Sequence, residues 1–106
     1  MNREIKFRAF ENGKMYSKIL TAGYILENFK LVMQYIGRKD VEGKEIYEGD
    51  IVAKTLTSEK YKIIYSGCSF KCESIKSKNV KPYPFSERVK CIVLGNIHEN
   101  PELLNN

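Results

Sequence analysis

His98 is the only histidine of the chain. A hydroxyl or thiol nucleophile activated by imidazole would have to use it, together with an acid that orients the ring. Glu99 follows directly, but neighbours in sequence point apart, and His98 reads as a packing residue of a tight turn. Cys68, Cys72 and Cys91 are the three cysteines. A closed zinc site takes four ligands, commonly as two closely spaced pairs, and here the second pair would be Cys91 with the distant His98. On a strand, Cys68, Phe70 and Cys72 share one face and Cys91 falls in step with Val89 and Val93, so the sulfurs read as small buried hydrophobes. Asp40, Glu42, Glu45, Glu48 and Asp50 form the one acidic cluster. Two or three such carboxylates could hold Mg²⁺ with substrate phosphates, but Asp40 and Asp50 sit beside turn glycines, where aspartate serves the backbone. Lys44 neutralises part of the rest. The reading is no catalytic residue, no cofactor and no metal site.

The basic residues carry more functional weight. The chain has a net charge of +5, and the excess lies in its second half, where residues 54–90 hold nine Lys/Arg against three Glu. Lys60, Lys62, Lys71, Lys76, Lys78, Lys81, Arg88 and Lys90 are interleaved with Tyr61, Tyr65, Phe70, Tyr83 and Phe85. Lysines neutralise phosphates and exposed aromatics stack bases, so these lysines, Arg88 and Tyr83 are the candidate nucleic-acid contacts. The alternation in 61–65 argues the other way. It puts Tyr61, Ile63 and Tyr65 on one face and Lys60, Lys62 and Ile64 on the other, as a core face and a solvated face would be. The seven glycines are scattered singly, as turn residues are, and form no phosphate-binding loop.

The elements that must position these residues are mostly strands. Ile5, Phe7 and Ala9 alternate with Lys6, Arg8 and Phe10, and Asn12-Gly13 signals a hairpin returning over 15–20. Residues 22–29 are open between a short helix and a strand. Residues 31–36 form an apolar run ending at Gly37, read as a strand covered on both faces. Turns are expected at 40–44 and 48–50, then strands at 51–53, 61–65, 68–73 and 89–94, with 74–86 an exposed loop. Asn100-Pro101-Glu102 is a helix-start pattern, so a short C-terminal helix is expected, with Leu103 and Leu104 pressed onto the sheet.

About seven strands with regularly spaced turns in 106 residues indicate a single domain over 1–106 of the mainly β class (β-rich α+β). The expected form is a small antiparallel, partly open SH3-like barrel or twisted sheet. No apolar run approaches the length of a membrane span, and the charged N-terminus has no signal-peptide core. An odd cysteine count suits a reducing compartment.

Three segments taken in order resemble the YopX family of phage and prophage proteins: REIKFRAF at 3–10, MQYIGRKDVEGKEIYEGDIV at 33–52 and LGNIHENPELL at 94–104. Residues 54–90 follow the family pattern loosely. Phe10 stands where the family usually has Trp, His98 where it has Tyr and Ile36 where it has Thr. The resemblance implies a phage or prophage accessory protein in the cytoplasm of a bacterial host, and it brings no catalytic residues to transfer. Without a site for chemistry, the expected function is binding a protein partner or a second copy of the chain. The alternative is a nucleic-acid-binding module using the basic 60–90 region.

Overall fold

Asn12 and Gly13 sit at φ of 52° and 76°, the two left-handed positions that a two-residue hairpin turn needs. The runs beside them pair as β1 (Phe7–Glu11) and β2 (Lys14–Tyr16). The computed structural model describes residues 6–17, 28–77, 79–86 and 90–104. The expected end of β2 and most of the segment 22–29 lie outside them.

β3 (Leu31–Lys39) is longer than the apolar run that announced it. It pairs with β1 through Phe7↔Gln34 to Phe10↔Leu31, and its second half pairs with β4 (Glu45–Tyr47), a strand in the stretch between the two expected turns, to which no element was assigned. Tyr35 is opposite Tyr47 and Lys39 opposite Glu45, so β3 takes more residues than its partner to cover the same rungs. That is a bulge, and Gly37 within it has a φ of +87°. The first sheet has the order β2-β1-β3-β4.

At Glu48-Gly49 the chain turns a corner into the second sheet. This sheet contains β5 (Asp50–Ala53), β6 (Tyr61–Ser66), β7 (Ser69–Ser74), β8 (Tyr83–Pro84) and β9 (Ile92–Asn96), in the order β8-β7-β6-β5-β9 with antiparallel pairing throughout. Ile36 and Ile46 of the first sheet pack with Val52, Ile63, Cys72 and Cys91 from the second sheet and its approach to form the core. Tyr61, Phe70, Phe85 and Val93 close it at the sides. The fold is mostly β, as expected, built as a curled antiparallel sheet plus a second sheet.

Three expectations need correction. The C-terminal helix is only a 3-10 turn, Pro101–Leu104. Four residues cannot offset the cost of nucleating an α-helix, and Asn100 turns its side chain back to accept from the Asn96 N–H at 3.2 Å. Leu104 is accordingly exposed. The loop 74–86 contains β8, which borders β7 through Lys71↔Pro84 and Cys72↔Tyr83. Cys68 is exposed and sits in the β6–β7 turn at a φ of 67°, so it shares no strand face with Phe70 and Cys72. Among the described residues no helix is long and apolar enough to cross a membrane.

Candidate functional site

The bulge in β3 turns Arg38 and Lys39 away from the core and toward a cleft of about 440 Å³ between the two sheets. Gly37 makes this possible, because a side chain at that φ is strained even though nothing lies within 4 Å of where its Cβ would be. Tyr35 and Cys91 form the buried floor. Phe85 and Ser86 form one wall, and Arg38, Lys39 and Lys90, all exposed, stand around the mouth. Cavities of this size hold small organic ligands.

Asp40 fixes the two sides of this cleft to each other. One carboxylate oxygen accepts from the Glu42 N–H at 2.9 Å and the Lys44 N–H at 2.8 Å, which caps the β3–β4 turn. The other accepts from the Val93 N–H at 2.9 Å, across on β9. The Val41 N–H adds a bond to the Cys91 carbonyl at 3.0 Å. Burial pushes the Asp40 carboxyl up, but the backbone donors from Val93, Lys44 and Glu42 outweigh it, and the pKa ends below the usual aspartate value. Among the described residues the one carboxylate of the lining is thus met by backbone dipoles, and three cationic side chains line the same cleft.

The model of the family described as YopX protein matches residues 5–105. The chain belongs to the YopX family. Among solved structures, protein EF1440 from Enterococcus faecalis is similar, with 27% identity and a TM-score of 0.53 over 96% of this chain and 76% of that one. Among curated proteins no sequence matches.

Among the described residues, the basic candidates picked out from the sequence do not converge in this YopX-family chain. Register puts Lys62 and Lys71 on one face of the second sheet, where Lys62 meets Glu73 at 3.3 Å. Tyr61, Tyr65, Phe70, Cys72 and Tyr83 share the opposite face. Lys60 precedes β6 and is half-buried, while Lys76 and Lys81 are exposed in the loop before β8. Lys78 and Arg88 lie outside the described residues. Of the seven candidates among the described residues, Lys90 alone lines the cleft, and there it stands with Arg38 and Lys39, which sequence reasoning missed. Their signal was present, as two consecutive cations directly after a glycine that ends an apolar strand.

Of the other reactive groups of the family member, Cys72, Cys91 and His98 are packed into the structure, while Cys68 is exposed. Burial pushes the Cys72 thiol up, and burial with the neighbouring Cys72 pushes Cys91 up to about 11. A buried, protonated thiol is a poor nucleophile. In native protein at neutral pH, iodoacetamide is therefore expected to label Cys68 first, with Cys72 and Cys91 following only on unfolding. Mass spectrometry of early time points checks this, and early labelling of Cys91 would contradict it. His98 stacks on Phe10 with ring centroids 5.4 Å apart, and burial, then the charge of Arg8, lowers its pKa.

Proposed function

We propose that this protein acts by binding and without chemistry of its own, and that its ligand is a phosphate-bearing anion held at the cleft between the sheets. One observation carries this reading: Arg38, Lys39 and Lys90 line a cleft walled by Phe85, while the one carboxylate among its described lining residues is engaged by backbone N–H groups. Cations beside an aromatic wall suit a ligand that joins phosphate to a flat ring. A second copy of the chain fits less well, because it brings the same charge of +5. The edges of the second sheet also offer little to strand addition. β8 ends in Pro84, and the Val93 N–H of β9 is already taken by Asp40. Service as a phage or prophage accessory protein in the bacterial cytoplasm is part of the same proposal, motivated by the family.

Isothermal titration with pyrophosphate and with dTMP at about 50 mM salt tests the reading. Both are expected to bind, and binding is expected to disappear in the Lys39→Glu/Lys90→Glu variant. It should persist in Lys62→Glu/Lys71→Glu, where the reversed charges sit on the second sheet away from the cleft. If the two variants behave the other way round, or if neither ligand binds the native protein, the cleft is not the site. An acidic peptide that binds where both phosphates fail would point to a protein partner instead. Gly37→Ala is expected to cost about 1–2 kcal/mol of stability and to weaken dTMP binding, since the strained bulge would relax and carry Arg38 and Lys39 with it.

A further inference from the structure

The aromatic wall of the cleft does not end at Phe85. The Phe85 N–H donates to the Phe70 carbonyl at 3.0 Å, continuing the β7–β8 ladder by one rung, and Phe70 is directly opposite Tyr65 on β6. Phe85, Phe70 and Tyr65 therefore form a row across three neighbouring chain segments on one face of the sheet. Two inter-strand spacings make the row about 10 Å long. Its inner end opens on the cleft cations, and its outer end is free, since Tyr65 is 53% exposed. Tyr65 and Phe70 are held edge to face, with centroids 5.1 Å apart at 69°, so Phe70 fixes the ring that solvent sees.

A row of this length is too long for one nucleotide and suits consecutive unstacked bases. Strand-bound aromatics leading into a cationic cleft are the arrangement by which sheets take up single strands, with stacking supplied by rings and backbone charge by lysines. The duplex form is excluded, because its bases present no ring faces to stack. We infer that the ligand is single-stranded nucleic acid, with one nucleotide in the cleft between Phe85 and Arg38, Lys39 and Lys90, and the following bases laid over Phe70 and Tyr65. This rests on the cleft reading above and extends it from a phosphate-bearing anion to a polymer. The polymer follows the solvent-facing rim of that face, where Phe85 and Phe70 are half-buried against the core and Tyr65 is exposed, and Lys62 and Lys71 on the other face take no part.

Fluorescence anisotropy with dTMP, oligothymidylates of increasing length and a blunt duplex of the same sequence tests it, on the full chain at about 50 mM salt. Affinity is expected to rise roughly 5- to 100-fold from the mononucleotide to a length that covers the row, and then to level off. Tyr65→Ala should remove most of that gain while leaving dTMP binding unchanged. The side chain is exposed, so the variant folds, and an unchanged thermal midpoint confirms that. Tyr65→Phe should restore the gain, because stacking needs the ring and not the hydroxyl.

If dTMP binds but length adds nothing, the polymer inference fails and the cleft reading stands. Tighter binding of the duplex than of the single strand, or equal competition by polyphosphate of matched charge, likewise removes the role of the aromatic row. If dTMP and pyrophosphate both fail to bind, both readings fall together.

Discussion

Arg8→Ala is expected to lower the unfolding free energy by about 3–5 kcal/mol, the usual cost of leaving a buried charge without its partner. Arg8 is on β1 in the first sheet, and Asp50 opens β5 in the second. Their side chains meet at 2.6 Å, with 10% of the Arg8 side chain and 1% of the Asp50 side chain accessible. The second Asp50 oxygen accepts from the Tyr47 N–H at 2.7 Å, which closes the corner between the sheets. The guanidinium also lies over the Tyr47 ring, 4.5 Å from its centroid. Removing Arg8 thus unpairs a carboxylate that cannot turn to water without opening the corner. Arg8 Nε is buried with no hydrogen-bond partner among the described residues, so the pair is imperfectly satisfied. Its net contribution over an apolar replacement is correspondingly small. The double variant Arg8→Met/Asp50→Asn should therefore lose less stability than Arg8→Ala alone.

Burial pushes the Asp50 carboxyl above its ordinary value, even though Arg8 and the Tyr47 N–H pull it down. A carboxyl whose pKa is raised by folding takes up a proton more readily in the folded than in the unfolded chain. Stability from this group therefore increases as pH falls through the window above the unfolded value of 3.8. In Arg8→Ala the downward pull of the guanidinium is gone, so the deficit relative to the parent chain should shrink as pH is lowered through that window. Urea titrations followed by circular dichroism at neutral and mildly acid pH measure both effects. A deficit under about 1 kcal/mol at pH 7 would show that Asp50 reaches solvent without Arg8.

Local chemistry was legible wherever one residue decided it. Asn12-Gly13 declared its hairpin, and Tyr61, Ile63 and Tyr65 alternated against Lys62 and Ile64 as the register confirms. The turn roles of Asp40 and Asp50 followed from the glycines beside them, and both carboxylates do accept from backbone N–H groups. What stayed hidden depends on long-range pairing. β4 and β8 are too short for periodicity to show, and they exist because β3 and β7 offer them a ladder. Cys68 kept the alternation of a strand, yet the hairpin turn claimed it. The cleft was hidden for the same reason. Arg38 and Lys39 lie far in sequence from Phe85 and Lys90, and long-range contacts, the Asp40 bridge to Val93 and the Val41 bond to Cys91 among them, bring them to one place. The charge excess of 54–90 drew attention to lysines that the sheet then separated onto different surfaces.

That bridge supplies the second large effect. Asp40→Ala removes one acceptor group from three backbone donors at once. Glu42 and Lys44 are in an exposed turn, so their N–H groups can turn to water at a modest cost, whereas the Val93 N–H faces the junction between the sheets. The summed loss is expected to be about 3 kcal/mol, or roughly a 12 °C fall in thermal midpoint for a chain of this size. Asp40→Asn keeps one acceptor oxygen and should lose about half as much. Because the folded chain holds this carboxyl below its unfolded pKa of 3.8, its contribution is complete above that pH and disappears as pH falls through the lower, folded value. The gap between the parent chain and Asp40→Asn should therefore be constant from neutral pH to about pH 5 and close below 3.8, the opposite trend to the stabilising protonation of Asp50. The same substitution reaches the cleft, since the tie between the turn carrying Lys39 and the segment carrying Lys90 is weakened and the Val41 bond to Cys91 is left to carry more of it. Binding of dTMP by Asp40→Asn should fall at temperatures where circular dichroism still reports a folded chain. If stability drops and dTMP affinity does not, the bridge holds the sheets together without shaping the cleft, and Lys39 and Lys90 would have to reach the ligand independently.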